Sequence, residues 1–255
     1  MWHPESRYDR CVLQTEAVGY DVDGVAMVGH LAFDDAIVAG GDPRPGVLLS
    51  HEGGGMDDNV RTRAERLASM GYVAFALDYF GGGRQPPFDE AQARLRVLMD
   101  DPDAMRRLGR AGLDVLIAQP AVDSTRLAAI GFCFGGTMSL ELARDGAPLR
   151  AVVGFHPGLH SPRPQDSANI TGSVLMCCGA DDPIIPFESR QAFEQEMRTV
   201  GVADWRVEVY GGVGHSFTNP EIDARGFAGF AYNEQADRRS WRSMLDLFRE
   251  CLDPV

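Results

Sequence analysis

Apolar and polar residues are arranged along this chain in blocks that predict strands alternating with helices. Short apolar runs occur at residues 46–50, 72–77, 151–155 and 173–178, and each has the length of a single strand. Strands without a polar face are typical of parallel sheets, whose two faces are both covered by helices. Segments between these runs carry apolar residues every three or four positions, which predicts amphipathic helices.

The remaining pattern completes the predicted fold. Residues 11–19 and 25–33 predict an antiparallel strand pair, because Asp23 and Gly24 between them favour a turn. Helices are predicted from Asp57 or Asp58 to Gly71, then at residues 90–119 with a break near Asp101, and at 137–144, 187–200 and 234–251. The expected fold is a single α/β domain over residues 1–255, with a doubly wound, mostly parallel sheet and helices on both faces.

One junction between a strand and a helix has the pattern of a reactive turn. Gly131-Phe132-Cys133-Phe134-Gly135 lies between the strand predicted at 126–130 and the helix predicted at 137–144. In a G-x-nucleophile-x-G turn, side chains at the two glycine positions would collide, and the central side chain is held above the sheet. The N–H of Phe134 can receive an oxyanion, and the helix dipole favours a thiolate. The alternative is that Cys133 is a small buried apolar residue in an ordinary turn.

Two downstream residues are candidate partners for Cys133. Asp182 follows the strand at 173–178, and His215 follows a strand predicted at 205–210. A thiol needs a base to form its thiolate, and an imidazole needs an acid on its other nitrogen. Because the carboxyl ends of parallel strands meet at one edge, these three residues are expected to lie together. The chain order nucleophile, acid, histidine is the one expected on a sheet of this kind.

These motifs resemble those of the dienelactone hydrolase family, whose members have an α/β-hydrolase fold and a cysteine nucleophile. The resemblance rests on G-x-C-x-G at 131–135, G-x-x-D closed by a proline at 179–186, and G-H-x-F at 214–217. It implies that Cys133 is the nucleophile of a catalytic triad. The acid implied by the register is Asp182 rather than its neighbour Asp181, and the implied base is His215.

The resemblance also assigns the loop after the third strand. Glu52 stands where the family has a glutamate, which implies that its carboxylate helps to deprotonate the thiol of Cys133. A buried carboxylate near sulfur can accept that proton if burial has raised the pKa of the carboxyl group. The next residue, Gly53, is expected to provide the second oxyanion N–H beside that of Phe134.

The implied reaction is hydrolysis of an ester or lactone, as in a carboxymethylenebutenolidase, through an acyl thioester on Cys133. Family members that act on dienelactones hold a substrate carboxylate with two arginines. Arg84 matches the first, whereas Asn219 stands where the second is expected, and this argues against dienelactone itself as the substrate. Tyr79 and His156 at strand ends are further candidates for the wall of a small-molecule pocket.

Composition narrows the class of partner and the compartment. The formal net charge of −13 argues against nucleic acid and against an anionic membrane surface, which both require clustered Lys and Arg. The five cysteines are odd in number and widely spread, which does not indicate a disulfide framework. No apolar segment has the length of a signal peptide or membrane span, so a cytoplasmic protein is expected.

No cofactor and no metal are expected. His156 and His160 have the spacing of metal ligands on a helix, but Pro157 and Gly158 between them argue against a helix there. Residues 217–233 contain Gly226 and Gly229 together with the apolar Phe227 and Phe230. This pattern fits either a lid over a ligand or permanent packing. The sequence does not predict the natural substrate or the oligomeric state.

Two alternatives to a hydrolase remain open at this stage. An acyltransferase would form the same thioester on Cys133 and pass the acyl group to an acceptor other than water. A non-catalytic redox or binding protein would use Cys133 for reversible oxidation or leave it idle in the turn. A binding protein has no need of Asp182 and His215, which favours an enzyme.

Overall fold

The computed structural model describes residues 12–35 and 41–252, and these residues form eight strands in one sheet. The strands are β1 (Leu13–Val22), β2 (Val25–Asp34), β3 (Arg44–Ser50), β4 (Val73–Leu77), β5 (Val122–Phe132), β6 (Ala151–Phe155), β7 (Ser173–Gly179) and β8 (Trp205–Tyr210). Their order across the sheet is β1-β2-β4-β3-β5-β6-β7-β8. The β1–β2 and β2–β4 pairs are antiparallel and all others are parallel. The mostly parallel sheet and the antiparallel β1–β2 pair agree with the sequence, which does not predict that β2–β4 is antiparallel. Cys11, the predicted start of the first strand, lies outside the described residues.

Within residues 41–252 the structure describes six α-helices. They are α1 (Asp58–Ala68), α2 (Phe88–Asp100), α3 (Pro102–Ile117), α4 (Phe134–Arg144), α5 (Phe187–Val200) and α6 (Glu234–Cys251). Of these, α1 to α5 lie between strands and α6 follows β8. The predicted break at Asp101 separates α2 from α3, because the Asp101 carboxylate accepts the N–H of Ala104 and Pro102 begins the new helix. No helix within residues 12–35 and 41–252 has the length and apolar character to cross a membrane.

Two elements at the reactive turn are longer than the sequence predicts. The strand β5 extends from Val122 to Phe132 rather than over 126–130, and α4 begins at Phe134 rather than at Thr137. Two glycines in the first turn of α4 have low helix propensity, so the apolar pattern does not reveal where this helix starts. The strand therefore passes into the helix with Cys133 alone between them.

Each face of the sheet has its own apolar core. On one face, residues such as Leu67 of α1 and Trp241 of α6 are buried, and on the other face Leu140 of α4 and Phe193 of α5 are buried. The neighbours Cys177 and Cys178 in β7 point to opposite faces and belong to different cores. Helices on both faces of a mostly parallel sheet agree with the predicted fold, and the architecture is that of an α/β-hydrolase.

A buried ionic network holds α4 against its neighbours. The carboxylate of Glu141 in α4 lies 2.9 Å from Arg106 Nη2 of α3 and 2.9 Å from Arg144 Nη1. Arg144 Nη2 in turn lies 2.6 Å from Glu196 Oε1 of α5. Because the side chains of Arg144 and Glu141 are fully buried, each charge depends on its partners.

Replacing Arg144 with methionine is expected to lower the free energy of unfolding by about 3–5 kcal/mol, because two buried carboxylates lose their shared cation. The matched control is Arg198→Met, which removes an exposed arginine paired with Glu194 and should cost less than about 1 kcal/mol. Urea unfolding at neutral pH measures both. Equal losses in the two variants would show that the network does not stabilise the fold.

Candidate active site

The turn at Cys133 has the strained geometry that the glycine pattern predicts. Cys133 has φ +53° and ψ −121°, and it lies between the last residue of β5 and the first residue of α4. A Cβ atom on Gly131 would lie 2.0 Å from Gly135 O, and one on Gly135 would lie 2.1 Å from Ser50 O. Only glycine fits at both positions. Phe134 begins α4, so its backbone N–H has no acceptor within the helix and is free to bind an oxyanion.

Cys133, His215 and Asp182 form a continuous chain of contacts at the carboxyl edge of the sheet. His215 Nε2 lies 3.1 Å from Cys133 Sγ, and His215 Nδ1 lies 2.7 Å from Asp182 Oδ2. The second carboxylate oxygen of Asp182 accepts the N–H groups of Ile184 and Ile185, which fixes the carboxylate plane. A thiol, an imidazole and a carboxylate in this arrangement can act as nucleophile, base and orienting acid.

Electrostatics at this chain of contacts favour a charged imidazole. Burial of His215 opposes its protonation, but the adjacent sulfur of Cys133 and the carboxylate of Asp182 outweigh burial and raise the pKa of His215 from its ordinary 6.5 to about 10. An imidazolium 3.1 Å from a cysteine sulfur stabilises a thiolate there. The charged form of His215 is therefore favoured at neutral pH, and its positive charge lies next to Cys133 Sγ.

The loop after β3 is held by a buried histidine and a buried tyrosine. His51 Nδ1 donates to Glu52 O over 2.6 Å, and Tyr79 Oη lies 2.7 Å from His51 O and 2.9 Å from Glu52 O. Burial lowers the pKa of His51 to about 4, so its ring is neutral. In a trans peptide the C=O and N–H point in opposite directions. The bonds to Glu52 O therefore fix the direction of the Gly53 N–H.

Glu52 is buried and carries an unusual proton affinity. Burial raises the pKa of Glu52 from 4.5 to about 7, and the hydrogen bond from Asn219 Nδ2 to Glu52 Oε2, 3.1 Å long, partly offsets that rise. Glu52 Oε1 has no hydrogen-bond partner within the described residues, and it lies 3.8 Å from His156 Nε2. Glu52 therefore changes charge near neutral pH, next to the other site residues.

The residues predicted to bind substrate fall into two groups. Tyr79, His156 and Asn219 are buried, and each hydrogen-bonds to protein groups that form the site: Tyr79 and Asn219 to the loop after β3, and His156 to the nucleophile turn. The guanidinium of Arg84 is about half exposed and forms an ion pair with Glu90 at the start of α2. The three buried side chains support the site, and Arg84 lies at the surface with its charge compensated.

Three phenylalanine side chains form a series of ring contacts that ends on His215. Phe227 and Phe230 belong to the segment 217–233, and no sequence pattern points to Phe88. The ring centroids of Phe230 and His215 are 4.7 Å apart, those of Phe230 and Phe227 are 5.6 Å apart, and those of Phe227 and Phe88 are 5.9 Å apart. Phe88 and Phe227 are exposed. We call Phe88, Phe227 and Phe230 the aromatic path, because they connect solvent to the imidazole through ring contacts.

An exposed cation lies beside this path. Arg225 ends a short 3₁₀ helix, Ile222–Arg225, and its guanidinium lies over Gly54, where an added Cβ atom would be 3.1 Å from Nη1. Within residues 12–35 and 41–252, no carboxylate forms an ion pair with Arg225. No pattern in the sequence points to Arg225, since an exposed arginine is typical of a solvated surface.

The segment 217–233, which fits either a lid or permanent packing by its sequence, is packed on His215 in this structure. The backbone N–H of His215 donates to Gly229 O over 2.9 Å, and the N–H of Ala231 donates to His215 O over 3.2 Å. Gly214 and Gly229 touch closely, because a Cβ on Gly214 would lie 2.3 Å from Gly229 O. The segment therefore fixes the backbone of His215 from both sides.

The fold and this edge of the sheet define an α/β-hydrolase. A family model described as the dienelactone hydrolase family matches residues 34–252, and the chain belongs to that family. Similarity to solved structures agrees with this family membership. A protein named m3DLH is 44% identical, with a TM-score of 0.89 over 94% of this chain and 99% of that one. A dienelactone hydrolase-like promiscuous phosphotriesterase from metagenomic libraries is 38% identical, with a TM-score of 0.88 and the same coverage.

Curated relatives point to the same class of enzyme. A Salmonella typhimurium protein that is named as a candidate carboxymethylenebutenolidase is 29% identical over 216 residues, which are 81% of this chain and 77% of that protein. Together with the family membership, these similarities identify the chain as an ester or lactone hydrolase of the dienelactone hydrolase family.

The charge state of Glu52 can be tested through stability. Because its pKa is raised from 4.5 to about 7, the folded protein keeps this proton in a pH window where the unfolded chain releases it. The free energy of unfolding of the native protein, relative to Glu52→Gln, is therefore expected to fall by about 3 kcal/mol as the pH rises through this window, and then to stay level.

Urea unfolding of both proteins at a series of pH values measures this difference. The control variant is Glu188→Gln, which changes an exposed glutamate and should give a curve parallel to that of the native protein. A native curve that also stays parallel to that of Glu52→Gln would show that Glu52 does not titrate in this window.

Proposed function

We propose that this protein hydrolyses esters or lactones through an acyl thioester on Cys133. The thiolate attacks the carbonyl carbon, and the carbonyl oxygen becomes an oxyanion bound by the N–H groups of Phe134 and Gly53. The C–O bond to the leaving group then breaks, and His215 gives its proton to the departing alkoxide. For a lactone the alkoxide stays tethered to the acyl group.

The second half of the reaction uses His215 as a base. The imidazole, now neutral and still hydrogen-bonded to Asp182, takes a proton from water as the water attacks the thioester. The carbonyl re-forms when the C–S bond breaks, which releases the acid and restores the thiolate of Cys133 beside the imidazolium. The sum of both halves is ester plus water giving acid plus alcohol.

One observation carries this proposal: Cys133 Sγ lies 3.1 Å from His215 Nε2, and Asp182 Oδ2 lies 2.7 Å from His215 Nδ1. A cysteine kept only for packing would not need an imidazole in contact with sulfur. The exposure of Cys133, which is intermediate while Cys177 and Cys178 are buried, also supports a reactive thiol.

Glu52 is proposed to receive the proton of Cys133 whenever the thiol is protonated. The raised pKa of about 7 makes its carboxyl group a proton acceptor near neutral pH. The hydrogen bond from Asn219 Nδ2 holds the Glu52 carboxylate in place at the start of the loop after β3. In this role Glu52 prepares the nucleophile, and His215 carries out both later proton transfers.

Acyl transfer is the second outcome to be distinguished, since an alcohol or thiol can replace water in the second half of the reaction. Phosphotriesters are a further class of probe, because the promiscuous phosphotriesterase at 38% identity shares the fold over 94% of this chain. With such a probe, sulfur would attack phosphorus and displace the aryloxide. Product analysis with and without added alcohol separates hydrolysis from transfer.

The thioester is tested by intact-protein mass spectrometry after brief mixing with p-nitrophenyl acetate. We expect one acetyl group on Cys133 in the native protein, and a longer-lived adduct in His215→Ala, which lacks the base for the second half. In Cys133→Ala the adduct should be absent, and kcat should fall by at least about a thousandfold.

Cys251→Ala is the matched control, since Cys251 is also partly exposed, and it should acetylate and turn over like the native protein. Turnover by Cys133→Ala at the native rate would exclude Cys133 as nucleophile. The absence of both adduct and turnover with esters, lactones and phosphotriesters would favour the redox or binding alternative.

The approach to the site suggests the character of the substrate. The aromatic path offers apolar surface from Phe88 to His215, and Arg225 places a positive charge over the loop that contains Gly53. That charge also acts on the nearby carboxyl groups of Glu52 and Asp57, whose pKa values it lowers. We therefore propose a substrate with an apolar or aromatic group and a negative charge. In this proposal Arg225 takes over a role that Asn219 cannot perform, because Asn219 is buried against Glu52.

Replacing Arg225 with glutamine is expected to lower kcat/KM for the anionic ester mono-p-nitrophenyl succinate by about tenfold, because a charged hydrogen bond is lost. For neutral p-nitrophenyl butyrate the change should be less than about twofold. Arg198→Gln serves as the control for net charge and should affect neither ester. If Arg84→Gln shows the selective loss and Arg225→Gln does not, the anion is bound by Arg84 instead.

A further inference from the structure

Another buried imidazole, that of His156, lies next to Cys133. His156 follows β6, is fully buried and has a positive φ of 42°. Its ring contacts the edge or face of the His215 ring, with centroids 5.1 Å apart, but it takes no part in the Cys133–His215–Asp182 chain. A residue that combines complete burial, a strained backbone and two polar ring atoms needs partners for both nitrogens.

The two partners of His156 define where its proton lies. The backbone N–H of Cys133 lies 3.1 Å from His156 Nδ1, and a backbone N–H can only donate. His156 Nδ1 therefore holds a lone pair, and in the neutral ring the proton is on Nε2. His156 Nε2 lies 2.8 Å from Thr218 Oγ1, which accepts that proton's hydrogen bond.

The surroundings of His156 keep the ring neutral. Burial, followed by the positive charges of His215 and Arg63, holds the pKa of His156 well below its ordinary 6.5. Glu52 Oε1 lies 3.8 Å from Nε2, and its carboxyl group, with a pKa of about 7, changes charge near neutral pH. A protonated ring would turn Nδ1 into a donor that faces the donor N–H of Cys133, so neutrality preserves the contact.

The acceptor at Nδ1 acts on the strained residue of the turn. The N–H of Cys133 is shared between Phe155 O, at 2.9 Å, and His156 Nδ1, at 3.1 Å. A non-glycine residue at φ +53° is strained and persists only where neighbouring groups hold it. The same backbone also orients the next peptide, whose N–H belongs to Phe134.

We propose that His156 is a positioning residue for Cys133. Its neutral imidazole accepts the Cys133 N–H and so holds the turn at the angle that places Sγ against His215. The proposal rests on the proposed function for its catalytic consequence, but the effect on the thiol is independent of turnover. His156 does not reach substrate, because its side chain is completely enclosed.

Thr218, the partner of His156 Nε2, is linked through Arg63 to α6. Thr218 O accepts a hydrogen bond of 2.8 Å from Arg63 Nη2, and the same nitrogen lies 2.8 Å from the carboxylate of Asp237 in α6. Thr218 is itself fully buried. The position of His156 is thus set by a buried chain of polar contacts that runs from α6 to the nucleophile.

The test compares His156→Asn with His156→Leu. Asparagine Oδ1 occupies the place of Nδ1, can accept the Cys133 N–H, and tolerates positive φ, whereas leucine offers no acceptor. We expect His156→Leu to lower the rate of Cys133 alkylation by iodoacetamide at neutral pH, and kcat for p-nitrophenyl acetate, by about 10- to 100-fold with little change in KM. His156→Asn should stay within about fivefold of the native protein in both measurements.

Alkylation separates this proposal from the proposed function. Suppose that no ester is turned over, but that alkylation is fastest in the native protein, slower in His156→Asn and slowest in His156→Leu. The proposed hydrolase mechanism then fails and the positioning role stands. Equal alkylation rates for native protein and His156→Leu would overturn the positioning role, and so would equal losses in both variants.

A measurement on the native protein keeps the proposal testable if His156→Leu does not fold. Nitrogen chemical shifts of the His156 ring should show a neutral ring with the proton on Nε2 from pH 6 to 8. A proton on Nδ1 would overturn the proposal. Thr218→Val, which removes the acceptor of Nε2–H at nearly constant shape, should slow alkylation of Cys133 without changing the surface, and an unchanged rate would contradict the role assigned to this contact.

Discussion

The close backbone packing at residues 131–135 is the constraint on which this site depends. A Cβ atom added to Gly135 would lie only 2.1 Å from Ser50 O, so the backbone at the start of α4 packs directly against the end of β3. That contact brings the free N–H groups at the start of α4 next to the loop that follows β3. It also sets the direction in which Cys133 leaves the sheet. The outer strands β7 and β8 then need only end at the same edge to bring Asp182 and His215 to the sulfur.

Around this turn two neutral imidazoles, His51 and His156, orient peptide groups, and a third, His215, is charged. Burial lowers the pKa of His51 and His156, so each offers one donor and one acceptor without adding charge. His51 fixes the peptide before Gly53, and His156 lies against the N–H of Cys133. Only at His215 do the neighbouring negative groups outweigh burial. Three buried histidines thus differ in charge because of their partners and not because of their depth.

The sequence predicts the parts of the site that depend on local spacing. Gly131 and Gly135 predict the turn because a steric rule applies within five residues, and the positions of Asp182 and His215 follow from the alternation of strands and helices. Contacts between distant segments escape such reasoning. The sequence makes Asn219 a candidate for substrate binding, whereas in the structure its partner is Glu52, 167 residues away, and no local pattern predicts the direction of that side chain. The start of α4 was missed because glycines in its first turn conceal the helical pattern.

Cys177 and Cys178 lie in the core and Cys133 lies at a partly exposed turn, and this difference affects how the thiols respond to oxidants. Burial raises the pKa of Cys178 to about 12 and that of Cys177 well above its ordinary value, so both thiols stay protonated and inert inside the sheet. Cys133 instead faces an imidazolium at a partly exposed turn. Peroxide reacts with thiolates, and oxidation beyond the sulfenic acid is not readily reversed. In the proposed mechanism the imidazolium next to Cys133 favours attack by its sulfur, and the same contact favours oxidation of that sulfur, whereas the two buried cysteines of β7 are protected from it.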